Sequence, residues 1–196
     1  ETDEADVVVT IIEVPIDAGS DATICEDDSF VIGEAQDAGY SYLWTSVPFD
    51  NSLDINDWNP TVTPTETTIY TLKKTSDILG CFKEASVTIT VEQLPVINAG
   101  TNATICSDQT SFTLSSASGP ATGVAYQWQA IGGNGSFNNA TLLKPTYTVD
   151  SNDTFITFQL TAQNNLPGDN CPAVTDEIEL TIEELVSVSA GADGGT

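Results

Sequence analysis

Ala18-Gly19-Ser20-Asp21-Ala22-Thr23-Ile24-Cys25 returns 81 residues later as Ala99-Gly100-Thr101-Asn102-Ala103-Thr104-Ile105-Cys106, and Ala190-Gly191-Ala192-Asp193 opens a third copy 91 residues after the second. Other landmarks keep step with it: Tyr42/Trp44 with Tyr126/Trp128, Pro60-Thr61 with Pro145-Thr146, Cys81 with Cys171, and Val87-Thr88-Ile89-Thr90-Val91 with Ile178-Glu179-Leu180-Thr181-Ile182. A fixed period of this length is the mark of an array of like modules, each large enough to bury its own core. The boundaries that follow are 1–13 for the last strand of a preceding repeat, 14–93 for repeat 1, 94–184 for repeat 2 and 185–196 for the start of a following repeat. On this reading the chain is a piece of a longer array.

Between these landmarks apolar and polar residues alternate with period two, as in Tyr40-Ser41-Tyr42-Leu43-Trp44 and Thr68-Ile69-Tyr70-Thr71-Leu72. That alternation is the pattern of half-buried strands, and Gly, Pro, Asn and Asp clusters punctuate it. Strands are predicted near 16–24, 29–35, 40–46, 60–63, 67–75 and 85–92, with an irregular stretch at 47–59. In repeat 2 they fall near 96–105, 111–117, 124–130, 145–149, 155–163 and 177–183. Val7-Val8-Val9-Thr10-Ile11-Ile12 copies the last strand of a repeat. The fold class is all-β: tandem immunoglobulin-like Greek-key sandwiches of about seven strands, expected to stack end to end because the connection at Leu94-Pro95-Val96 is so short. Trp44 and Trp128 fall on the third strand, where such sandwiches bury a tryptophan.

The chain carries 4 Lys, no Arg, and 29 Asp plus Glu, a net charge of −25, with no His. A surface of this sign repels nucleic acid and anionic lipid and attracts cations. No apolar run approaches the roughly 20 residues that cross a bilayer, so no direct membrane insertion is expected. Four Cys at two equivalent places, without a CxxC pair or a His, read as disulfides rather than as a zinc site, which puts the protein outside the cell. Two pairings stand open. Cys25–Cys81 with Cys106–Cys171 would close each repeat on itself. If the first corner and the final hairpin lie at opposite ends of a sandwich, Cys25–Cys171 would instead join the repeats and leave Cys81 and Cys106 for neighbours.

Catalysis is not expected: there is no His to act as a base, no GxSxG elbow and no phosphate-binding glycine loop. Asp50, Asp54, Asn56 and Asp57 gather in the irregular stretch as candidate oxygen ligands for Ca²⁺, the one cofactor in view. Their spacing matches no EF-hand. Trp58, with no Trp counterpart in repeat 2, is the aromatic proposed to touch a ligand, together with Tyr40 or Phe49.

The opening at 18–25 and 99–106, Tyr-x-Trp at 42–44 and 126–128, Asn59-Pro60-Thr61, and Gly80-Cys81 ahead of 87–91 resemble the immunoglobulin-like and PKD-like repeats of very large secreted surface proteins of Bacteroidota, including gliding-associated adhesins. Gly133-Asn134-Gly135-Ser136-Phe137-Asn138-Asn139-Ala140-Thr141 leading to Lys144-Pro145-Thr146-Tyr147 looks like the PKD-like variant. The resemblance implies export, attachment to the bacterial cell surface through a distant C-terminal signal, and a sandwich fold. The expected role is a non-catalytic structural segment of a long adhesin or filament, with adjacent repeats as partners. The alternatives are an accessory module binding carbohydrate or protein, and a subunit that self-associates through strand edges.

Overall fold

The computed structural model describes residues 13–165 and 171–186; the strand expected at 7–12 and the repeat opening at 190–193 lie outside them. The chain divides into two units, Glu1–Gln93 and Leu94–Thr196, and the described residues of both are strands and turns without a helix. Each is an immunoglobulin-like sandwich.

Unit 1 holds β1 (Ala22–Cys25), β2 (Phe30–Val31), β3 (Tyr40–Val47), β4 (Thr61–Val62), β5 (Thr68–Ser76) and β6 (Phe82–Glu92). The larger sheet runs β1-β6-β5-β3 and the smaller pairs β2 with β4. Unit 2 repeats the plan with β7 (Ala103–Cys106), β8 (Ser111–Thr113), β9 (Val124–Ile131), β10 (Ser136–Phe137), β11 (Thr146–Thr148), β12 (Phe155–Asn164) and β13 (Val174–Glu183). Its sheets run β7-β13-β12-β9 and β10-β11-β8. The two-residue β10 had no strand predicted for it; it forms where repeat 1 has its irregular stretch.

The repeated opening earns its composition residue by residue. Asp17 and Asn98 accept the backbone N–H of Gly19 and Gly100, 2.9 and 2.8 Å away, in matching Asx turns. The glycines stand at φ +94° and +115°, a left-handed conformation that other residues rarely hold. Ala18 and Ala99 are buried beside them. One turn later Asp21 and Asn102 accept the backbone N–H of Thr88 and Glu179 on the last strand, at 2.8 and 2.9 Å. Thr-Ile-Cys then lies parallel to that strand, Cys25 opposite Glu92 and Cys106 opposite Glu183. The strands predicted from 16 and 96 are therefore split. Ala18 gives its carbonyl to Gly33 N–H beside the smaller sheet and Asn98 bridges Ser118, while only 22–25 and 103–106 join the larger sheet.

Period two governs the cores. Along β5 the buried positions are Thr68, Tyr70, Leu72 and Lys74, and along β12 they are Ile156, Phe158, Leu160 and Ala162. Trp44 and Trp128 are buried among them, as expected. Unit 2 adds an aromatic cluster in which the Tyr147 ring stands edge-on to Phe137 at 5.1 Å and to Phe158 at 4.9 Å. Such contacts add about 0.5–1.5 kcal/mol per pair beyond the area buried.

Candidate functional site

The cysteines mark the two ends of each sandwich. Cys25 sits at the finish of β1 and, through the parallel register, beside the finish of β6; Cys81 precedes Phe82, the start of the 11-residue β6. At about 3.3 Å per residue that separates them by more than ~30 Å, whereas a disulfide requires Cα atoms within about 7 Å. Cys106 and Cys171 are held apart in the same way by β13. The pairing of Cys25 with Cys81 and of Cys106 with Cys171 is thereby overturned. Cys81 and Cys106 are free and exposed, and Cys25 and Cys171 each take part in a disulfide.

The acidic stretch of repeat 1 is a chain of turns. Asp50 accepts the Tyr70 hydroxyl at 2.5 Å, the Ser52 backbone N–H at 2.8 Å and the Ser52 hydroxyl at 2.7 Å, and Ser52 Oγ accepts Thr63 N–H at 2.8 Å. Asp54 Oδ1 accepts Asn56 N–H and Asp57 Oδ1 accepts Asn59 N–H, at 3.1 and 3.3 Å. The Asp57 carbonyl takes the indole N–H of Trp44 at 2.9 Å, so this stretch positions the core tryptophan. Asp50, Asp54 and Asp57 each serve a turn of their own, and among the described residues no three His, Cys, Asp or Glu side chains gather as a metal-binding group. The sequence signal for this was the i, i+2 spacing of Asp50/Ser52, Asp54/Asn56 and Asp57/Asn59, which is that of Asx turns.

Trp58 and Tyr40 are half-buried against the core of unit 1. Phe49, by contrast, is 84% exposed. It borders an open hollow lined also by Leu43, Leu53 and Ile55.

One group of residues escaped the sequence reading. Lys74, fully buried on the inner face of β5, lies with Nζ 2.5 Å from Glu34 Oε1 and 2.5 Å from Asp37 Oδ2. The rings of Tyr40 and Tyr42 flank the ammonium at 4.9 and 5.5 Å. The Tyr42 hydroxyl accepts Asp37 N–H at 2.9 Å and fixes the loop that carries both acids. Burial alone would drive Lys74 toward neutrality, but its hydrogen bonds to Asp37 and Glu34 outweigh burial and hold its pKa above the ordinary lysine value. In unit 2 the equivalent of Lys74, opposite Tyr126 as Lys74 is opposite Tyr42, is Ala162. The parity of β5 was the signal: a strand that buries 68, 70 and 72 must also turn 74 inward.

Burial raises the pKa of Tyr70, Tyr126 and Tyr147, and the charge of Asp50 adds to it at Tyr70, that of Asp153 at Tyr147. For a group whose pKa is raised on folding, the stabilisation is whole below the unfolded value and is lost as pH climbs toward the folded one. Stability is therefore expected to fall above pH ~10, each tyrosine contributing up to about 1.4 kcal/mol per pH unit. Urea midpoints measured between pH 8 and 11.5 check this, and a midpoint flat across that range would contradict it.

No family model matches the chain, and no curated protein matches it. Among solved structures it is similar to the I-band fragment I67–I69 of titin, at 12% identity and a TM-score of 0.43 over 86% of this chain and 65% of that one. It is also similar to human mucin-like protocadherin EC1-2, at 14% identity and 0.40 over 87% of this chain and 97% of that one. Drosophila N-cadherin EC1-3 matches at 11% identity and 0.39, over 84% and 65% of the two chains. The chain thus spans less than two thirds of the titin and N-cadherin fragments it matches.

Proposed function

We propose that this chain is a non-catalytic, load-carrying segment of a long extracellular adhesin or filament of the Bacteroidota surface-protein type. The repetition carries the reading: two sandwiches of one plan, with larger sheets β1-β6-β5-β3 and β7-β13-β12-β9, follow the same opening at 18–25 and 99–106. Cys25 and Cys171 each take part in a disulfide. Structural disulfides persist in oxidising surroundings, which supports an extracellular place. The net charge of −25 supports a soluble, cation-attracting shaft.

Pulling the chain by its termini in a force experiment tests this. In the presence of a reductant, two separate resisting events are expected, one for each repeat. A chain that extends without them would end the proposal.

A further inference from the structure

We propose that Lys74 and Asp37 of repeat 1 react with each other to form an intramolecular amide, with Glu34 carrying the proton. The geometry supplies what an amine and a carboxyl need to condense without a cofactor. The nitrogen touches both acids at 2.5 Å. It is sealed from water, its flanks covered by Tyr40 and Tyr42. The electrophile is held in place by the hydrogen bond from its own N–H to Tyr42. Reacting groups fixed in this way reach effective concentrations of about 10⁵–10⁸ M. Elsewhere in water the ion pair is the better state; here, the buried Lys74 charge disappears when the bond forms.

The two acids are not equivalent. Glu34 has a side chain 17% exposed and Asp37 one 46% exposed. The drier Glu34 suits the relay, and the more open Asp37 can release the departing water to solvent. In the step, the Lys74 ammonium passes a proton to Glu34 and the freed amine attacks Asp37 Cγ. Glu34 returns the proton to the departing oxygen, the C–O bond breaks, and one water leaves as the C–N bond is completed. The nitrogen's second proton leaves with that water, nothing is oxidised or reduced, and Glu34 ends as it began. The product fastens the loop between β2 and β3 to the central strand β5, a covalent tie in a module proposed to carry load. The inference deepens that reading but stands on geometry within repeat 1 alone.

Intact-mass measurement of the whole chain after reduction tests it, followed by a peptide map. The expected result is a deficit of one water, about 18 Da, confined to a joined pair of peptides, one bearing Lys74 and the other Asp37. Asp37→Asn should expel ammonia instead, a deficit of about 17 Da from its own calculated mass. Glu34→Gln, which retains the shape of the relay without its proton exchange, should keep its full mass while folding normally by circular dichroism. Full mass in the unaltered protein after days at neutral pH overturns the proposal, and so does a deficit mapped to any other peptide. A bond mapped to Glu34, or a Glu34→Gln protein that still loses water, overturns the assignment of roles. Two resisting force events with no mass deficit would sink the amide and leave the load-carrying reading intact.

Discussion

Asp153→Ala is expected to lower the stability of unit 2 by about 3–5 kcal/mol, because several buried donors lose their shared acceptor at once. Asp153 is buried, and its carboxylate accepts the backbone N–H of Asn134 at 2.7 Å, the Asn134 side-chain amide at 3.3 Å and the backbone N–H of Asp150 at 3.0 Å. The Tyr147 hydroxyl approaches it at 3.4 Å while accepting Gly135 N–H at 2.7 Å. The methyl group of alanine would satisfy none of these donors, and each buried donor left without an acceptor costs about 1–3 kcal/mol. Asp153→Asn retains one carbonyl acceptor and should lose less than half as much. A melt followed by near-ultraviolet circular dichroism should show unit 2 unfolding more than about 10 °C earlier in the alanine variant. Unit 1 serves as the internal reference, and an unchanged melt would show that the network is not what holds the segment from Gly133 to Asp153.

Against parent protein in which Lys74 and Asp37 are still an ion pair, as verified by full mass, Lys74→Met should cost unit 1 a similar amount, about 3–5 kcal/mol, for the opposite reason. Methionine fills the volume and stacks on Tyr40 and Tyr42, so packing is largely kept. Glu34 is left against an apolar wall with its cation gone. Adding Glu34→Leu and Asp37→Asn removes the stranded charges, and the triple variant is expected to recover most of the loss, since apolar replacement of a buried ion cluster is often neutral or better. Urea unfolding of the single and triple variants decides it. A single variant as stable as the parent would mean that the acids swing out to water at no cost.

Repetition and strand parity made the architecture legible. The 18–25 and 99–106 copies placed the module boundaries, and alternation along 68–72 and 87–91 placed strands that form β5 and β6. Trp44 and Trp128 could be assigned to the core because an aromatic on the inward parity of a central strand has nowhere else to go. In the acidic stretch, composition gave the residue types but not where each carboxylate points: Asp50, Asp54 and Asp57 each accept a backbone N–H of their own turn. That Trp58 is half-buried against the core of unit 1 was likewise not legible from its polar neighbours.

The sequence by itself determined the all-β class, the two-fold repetition and the buried tryptophans, because those follow from period and parity, which are local properties of a chain. Only the tertiary structure decided that the two cysteines of one repeat lie at opposite ends of it and which charge would be buried. Both depend on register between segments far apart in sequence: the parallel alignment that sets Cys25 beside Glu92, and the loop that brings Glu34 and Asp37 onto Lys74.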